Sequence, residues 1–252
     1  MSETTSFPYM GSSLHTVRPC RASGMTTLSM GVGGVPTGEF APSSLTGLIL
    51  WMDATKISGI ASNTSLSSWT DSSASAANAT QTSAASQPKY FTGIQNNLPA
   101  VQFFGAQFME SAASLVQPCT VACASSASTF GGNPMVFGGS LAGNGFNGLF
   151  VISNKYAGFA GTVLSGSSAT VNAWVSLIGQ FSGSSTTLSV SGVTFSGNAG
   201  TSTSTAMRIG GTSATQNLWT GYLGEGLVYN RLLTETERGS LETYMRTKWG
   251  TL

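Results

Sequence analysis

Asp53 and Asp71 each follow a tryptophan by two residues, Trp51 and Trp69, while Glu225 lies among glycines in an apolar stretch and Glu110 stands alone. These four are the candidates for carboxylate chemistry. Glycoside hydrolysis needs two acids facing one cleft about 5 to 10 Å apart, one to protonate the leaving oxygen and one to attack or to activate water. Between Glu110 and Arg208 the only charged residue is Lys155, so the middle of the chain holds no acid. Asp53 and Asp71 read as turn or loop caps, and Glu225 as a mid-strand residue. A serine nucleophile fares no better, because the single imidazole, His15, lies far towards the N-terminus. Gly131-Gly132, Gly138-Gly139 and Gly143-Asn144-Gly145 lack the Lys-Ser/Thr ending of a phosphate cradle and read as turns and bulges. The expected catalytic set is empty, and the expected role is non-enzymatic.

Cofactor and metal chemistry are also not expected. One His and no Cys-x-x-Cys spacing argue against zinc. Cys119 and Cys123 are four apart in an expected strand, which separates their Cα atoms by about 13 Å at roughly 3.3 Å per residue. A disulfide needs about 7 Å or less, so these two do not bridge. Cys20 reads as free or as paired elsewhere.

Recognition remains. Sugars are bound by stacking on an aromatic face while amides and carboxylates read the hydroxyls. Trp69 with Asp71 and Asn78, Tyr90 with Gln95 and Asn96, and the loop from Asn144 to Asn147 with Phe146 are the candidate glycan-binding groups. Trp51, Trp174 and Trp249 read as core. Nucleic acid is not an expected partner, since 10 basic residues are balanced by 9 acidic ones and none form a run. Nor is a membrane, because no apolar run approaches the roughly 18 residues of a span.

The elements that must position these groups are mostly strands. Hydrophobic residues make up 40% of the 252 and charged residues 8%, a composition that folds, with its surface solvated by hydroxyls and amides. Short apolar runs separated by Gly, Ser and Asn predict strands near 47–52, 98–104, 118–124, 134–138, 146–152, 173–181, 186–190, 193–195, 206–210 and 219–229. Leu188 and Val190, then Val193 and Phe195, alternate around Ser191-Gly192 as a hairpin. Thr234 and Glu237 make a capping box before a helix. Its face of Leu241, Tyr244, Met245 and Trp249 packs, and Glu242, Arg246 and Lys248 are expected to stay wet. Strands this numerous predict an all-β sandwich.

The closing segment, Leu218-Trp219-Thr220-Gly221-Tyr222-Leu223-Gly224-Glu225-Gly226-Leu227-Val228-Tyr229-Asn230-Arg231 with the helix that ends at Lys248-Trp249-Gly250, resembles that of the laminin-G-like, or concanavalin A-like, jelly roll. Gly47 to Ala54, Ser68 to Ser72, Leu98 to Phe103, Trp174 to Gly183, Thr187 to Gly192 and Met207-Arg208-Ile209-Gly210 resemble its other strands, in the right order from about Pro42 to Gly250. The resemblance implies a concanavalin A-like jelly-roll sandwich over residues 42–252 with a short C-terminal helix. Glucanases of this fold carry Glu-x-Asp-x-x-Glu in the central strands, which this chain lacks. Many of its lectins use calcium, for which two Asp residues are a poor supply.

Residues 1–41 show no strand or helix period and read as an extended anchoring or oligomerising arm, with Phe7, Tyr9, Met10, Met25, Leu28 and Met30 as its apolar anchors. The start Met1-Ser2-Glu3-Thr4-Thr5-Ser6 does not read as a secretory signal. A sandwich suited to an outer surface but made in a cytoplasm leads to the expectation of a bacteriophage structural protein, made in the host cytoplasm and carried on the virion surface. It would be a homo-oligomer, bound through its arm to capsid, collar or tail proteins, with cell-surface glycans as further partners. The alternatives are a lectin of a bacterial surface and, less favoured, a glycoside hydrolase.

Overall fold

The computed structural model describes residues 40–140 and 146–251. The arm residues Phe7, Tyr9, Met10, Met25, Leu28 and Met30, together with His15, Cys20 and Asn144, lie outside them. Among the described residues the elements are β1 (Leu48–Asp53), β2 (Thr64–Ser65), β3 (Ser68–Trp69), β4 (Ala79–Thr80), β5 (Lys89–Gln95), β6 (Leu98–Phe104), β7 (Met109–Ser111), β8 (Cys119–Ala127), β9 (Met135–Gly139), β10 (Gly148–Ile152), β11 (Lys155–Phe159), β12 (Val163–Ser168), β13 (Trp174–Phe181), β14 (Thr186–Val190), β15 (Val193–Gly197), β16 (Met207–Ile209), β17 (Thr220–Tyr229) and the helix α1 (Glu235–Trp249). No helix is long and apolar enough to cross a membrane among the described residues.

Two antiparallel sheets result. The first runs β15-β14-β13-β8-β17-β6-β5-β2, with β1 also paired to β17, and the second runs β12-β11-β10-β9-β16-β7-β4-β3. β17 is therefore central: β8 flanks one side, and the other is shared by β6 over Thr220–Leu223 and β1 over Glu225–Tyr229. This is an all-β sandwich consistent with a jelly roll, as the sequence pattern predicts.

The core interlocks because small residues in one sheet face large ones in the other. A Cβ on Gly226 of β17 would meet the Phe137 ring of β9 at 2.5 Å, and one on Gly179 of β13 would meet Leu149 of β10 at 3.0 Å. Burying each large apolar side chain stabilises the sandwich by about 1.5–3 kcal/mol. β8 and β13 are buried at every position, as expected of central strands with both faces covered. Cys119 and Cys123 both lie in β8, buried and unbridged, as their spacing requires.

α1 lies across the outer face of the first sheet. Thr234 and Glu237 form the capping box, and Gly250 ends the helix in the left-handed conformation. Leu241, Met245 and Trp249 are fully buried. Trp249 stacks on Trp174 with centroids 5.5 Å apart and rings 5° from parallel, and its indole fills the space that a side chain at Gly224 would need. The wet face departs from expectation. Arg246 is exposed, but Glu242 is buried with its carboxylate accepting from the hydroxyls of Ser176 and Ser189. Lys248 turns inward as well. Both follow from the polar residues that the outer face of the sheet presents to the helix.

The β14–β15 hairpin has Val190 opposite Val193, with Ser191 and Gly192 at φ of 47° and 89°. Both central residues are left-handed, which is the turn whose twist matches the strands. β10 and β11 form a second such hairpin around Ser153 and Asn154, at φ of 51° and 60°. β3 falls within the Ser68 to Ser72 stretch that resembles a jelly-roll strand, whereas the strands β5, β7, β11 and β12 and the two-residue strands β2 and β4 were not expected. Their Gly, Ser and Lys content hides the alternation, and neighbouring strands supply the pairing.

Candidate functional site

Two places gather polar side chains: a closed cluster beneath α1 and a small pocket on the flank of the sandwich. In the cluster, Asp53 and Glu225 are direct partners across the β1–β17 ladder. Glu225 is fully buried and Asp53 is 2% exposed. Glu225 Oε1 accepts from Trp51 Nε1 at 2.5 Å and Tyr244 OH at 3.0 Å, and Oε2 accepts from Trp249 Nε1 at 2.8 Å and Lys248 Nζ at 2.9 Å. Lys248 Nζ also donates to Asp53 Oδ2 at 2.8 Å. Asp53 Oδ1 accepts from Thr55 N at 3.0 Å and Thr55 Oγ1 at 2.7 Å. Burial pushes the Glu225 carboxyl above its ordinary pKa; the Lys248 ammonium opposes that rise and the Asp53 charge adds to it.

The remaining described acids, apart from Glu235, are also tied to partners. Asp71 accepts from the Trp51 and Ala77 amides and from the amide and hydroxyl of Ser73. It thus holds the 71–77 loop, the capping role its sequence neighbours suggest. Glu110 pairs with Arg208, and Glu237 makes a two-pronged pair with Arg231. Among the described residues no group of three or more His, Cys, Asp or Glu side chains is arranged to hold a metal ion.

The flank pocket, of about 230 Å³, is lined by Asp53, Lys56, Ile57, Ser58, Ile60, Leu66, Ser68, Trp69, Thr70 and Ser72. Trp69 is 1% exposed and its indole N–H is buried without a partner. Lys56 Nζ sits 4.2 Å from the centroid of the Trp51 ring. Hydroxyls, an ammonium and three aliphatic walls can together grip a small ligand with polar edges and an apolar face.

The sequence-derived candidates do not converge. Trp69 lines this pocket but offers no open ring face for stacking, because the two-residue strand β3 turns it into the core. Asp71 is 6% exposed and committed to its loop. Asn78 takes the Asp71 amide. Tyr90 is 6% exposed on β5. Its supposed companions serve the helix instead: Gln95 Nε2 donates to the Trp249 carbonyl at 2.8 Å and Asn96 Nδ2 to that of Lys248 at 3.1 Å, occupying acceptors that a helix end leaves unpaired. Asn147 is fully buried, donating towards the Leu115 carbonyl. Phe146 stacks on Phe159 at 5.0 Å and packs with Phe150 in a small apolar cluster that includes Met135. Lys56 and Lys248 were missed as site residues. Lysines in polar surroundings read as solvated, and nothing local marks either as inward or ring-bound.

Residues 116–237 match the family model described as the concanavalin A-like lectin/glucanases superfamily. That stretch runs from the loop before β8 into the start of α1, and the sheet order of the described residues is consistent with such a sandwich. Among solved structures it is similar to Trypanosoma rangeli sialidase in complex with sialic acid, at 16% identity and a TM-score of 0.57, covering 86% of this chain and 36% of that one. It is also similar to domain 4 of AbnA, a GH43 extracellular arabinanase from Geobacillus stearothermophilus, in complex with arabinotriose, at 16% identity and a TM-score of 0.50, covering 63% of this chain and 80% of that one. The binding domain of botulinum neurotoxin serotype G is similar at 10% identity and a TM-score of 0.51, covering 81% and 54%. The chain thus spans about a third of the sialidase. At these identities the likeness is one of fold. No curated protein matches the chain.

Proposed function

We propose that the chain is a non-enzymatic virion structural protein whose sandwich recognises carbohydrate, with the flank pocket beside Trp69 as its binding site and residues 1–41 as the segment that attaches it to the particle. The observation that carries the recognition reading is the hydroxyl-lined pocket beside Trp69, a residue whose indole N–H is buried without a partner. A buried donor without an acceptor costs about 1–3 kcal/mol, and a ligand hydroxyl relieves it. The arabinotriose-bound arabinanase domain supports carbohydrate as the ligand class for this fold. The engagement of the described acids within the protein supports recognition without turnover. The virion reading is supported by the 8% content of charged residues and by the compositional break near residue 41. Repetition on a particle makes a weak single site useful, since multivalent display raises avidity by about two to four orders of magnitude.

Titration of the full chain with neutral and acidic polysaccharides tests the site. The expectation is saturable binding, weakened about tenfold in Trp69→Phe, which removes one hydrogen bond worth about 1.4 kcal/mol; because the smaller ring also leaves a cavity in the core, circular dichroism must first show the variant folded. Absence of binding, or binding indifferent to that substitution, overturns the site. Particles lacking the protein should take it up only while residues 1–41 are present; equal uptake of residues 42–252 overturns the attachment role.

A further inference from the structure

The cluster beneath α1 has more chemistry than an ion pair needs. It brings an amine, a carboxyl and a second carboxyl together, the two acids buried and the Lys248 side chain 17% exposed. Lys248 Nζ stands 2.8 Å from Asp53 Oδ2 and 2.9 Å from Glu225 Oε2. The walls are Trp51, Trp249 and Tyr244, and both acids are almost wholly buried. Burial pushes the Glu225 carboxyl above its ordinary pKa.

We propose that Lys248 and Asp53 join in an intramolecular amide, formed by the folded protein itself with Glu225 as proton relay. The roles divide by contact. Asp53 Oδ1 is held by the amide and hydroxyl of Thr55, two donors placed where negative charge would develop. Its Oδ2 has the Lys248 ammonium as its hydrogen-bond donor and is the oxygen that leaves. Glu225 has both oxygens held by indole, phenol and ammonium donors, which fix it beside Nζ.

The step balances without any co-reactant. The reacting state holds one ammonium, one carboxylate on Asp53 and one carboxyl on Glu225. A proton passes from Nζ to Asp53 Oδ2, leaving a neutral amine facing a carboxyl. Nζ attacks Cγ, and charge collects on Oδ1. Glu225 then gives its proton to Oδ2 and takes one from the nitrogen. The Nζ–Cγ bond forms, the Cγ–Oδ2 bond breaks, and water departs. Oδ1 remains as the amide oxygen, Glu225 is unchanged, and nothing is oxidised or reduced. Holding the reactants in contact supplies the effective concentration that makes amide formation between unactivated groups feasible.

The product would tie the end of β1 to the last turn of α1, residues that lie 195 apart in sequence. Asp53 also lines the flank pocket, but the mass of the chain reads the link whether or not that pocket binds carbohydrate.

Mass spectrometry of the denatured full chain decides it. The expected wild-type mass is lower than that of the sequence by one water, with a digest fragment joining the Lys248 and Asp53 peptides. Lys248→Arg and Asp53→Ala should both restore the unmodified mass. Glu225→Gln, which keeps both reacting groups, should also lack the link; an undiminished link there overturns the relay. A folded wild-type chain at its unmodified mass overturns the proposal, whatever the variants do, and leaves the cluster a non-covalent one. A fragment joining Lys248 to Glu225 overturns Asp53 as the acceptor.

Discussion

Asp53 and Glu225 face each other directly across the β1–β17 ladder, and the Lys248 ammonium bridges them at 2.8 and 2.9 Å. Two like charges opposite one another on a sheet repel, so the pair depends on a cation delivered by a helix whose last turn must be in place. Where the cluster is in its ionic form, Lys248→Met removes that cation from a buried site. Breaking such a group by deleting one partner costs about 3–5 kcal/mol. Urea unfolding of the variant should show a lower midpoint with little change of slope.

Gly224→Ala should dislodge Trp249. A Cβ at that position would lie 2.5 Å from the indole, and overpacking of this kind costs about 1–3 kcal/mol. Indole fluorescence and near-ultraviolet dichroism, both sensitive to the Trp174–Trp249 stack, should change together with stability. Unaltered spectra would contradict the placement of the helix.

Acid should act on Glu237 and Glu225 with opposite signs. The Arg231 guanidinium, aided by the Thr234 amide, holds the Glu237 carboxyl down to about 2. Its folded pKa lies below its unfolded one, so its contribution is present above the ordinary carboxylate range and is lost as pH falls towards about 2. Glu225 is raised by burial. Its contribution is greatest below the ordinary carboxylate range and declines as pH rises through the elevated folded value. Stability measured against pH should therefore lose its acid-side slope in Glu237→Gln and its higher-pH decline in Glu225→Gln.

The thiols of Cys119 and Cys123 should be inert in the native state. Burial pushes both up to about 12, and the thiolate is the reactive form. A thiol reagent at neutral pH should label neither until the sandwich is unfolded, as peptide mapping can show. Prompt labelling of either would contradict its burial.

What was legible in the sequence was local or periodic. The Thr234–Glu237 box, the Ser191-Gly192 turn and the β13 run each announce themselves within a dozen residues. Trp69 was legible as a residue worth watching, but not its direction, because a two-residue strand has no alternation to show which side faces in. Asn96 and Gln95 looked like sugar-reading amides and instead bind carbonyls of a helix more than 150 residues away. Lys248 looked solvated because its partner Asp53 is 195 positions distant and meets it only after β1 has paired with β17. Side-chain roles set by long-range pairing leave no trace in a window of sequence.

The place of β17 also governs when the domain can come into being. β1 has no strand partner but β17 among the described residues, and β8 keeps one edge bare until Gly221–Tyr229 arrives beside it. A nascent chain emerging from the ribosome must therefore carry nearly two hundred residues of unfinished, hydroxyl-rich sheet before the strand that joins its halves is translated. Exposed strand edges invite wrong pairing during that wait.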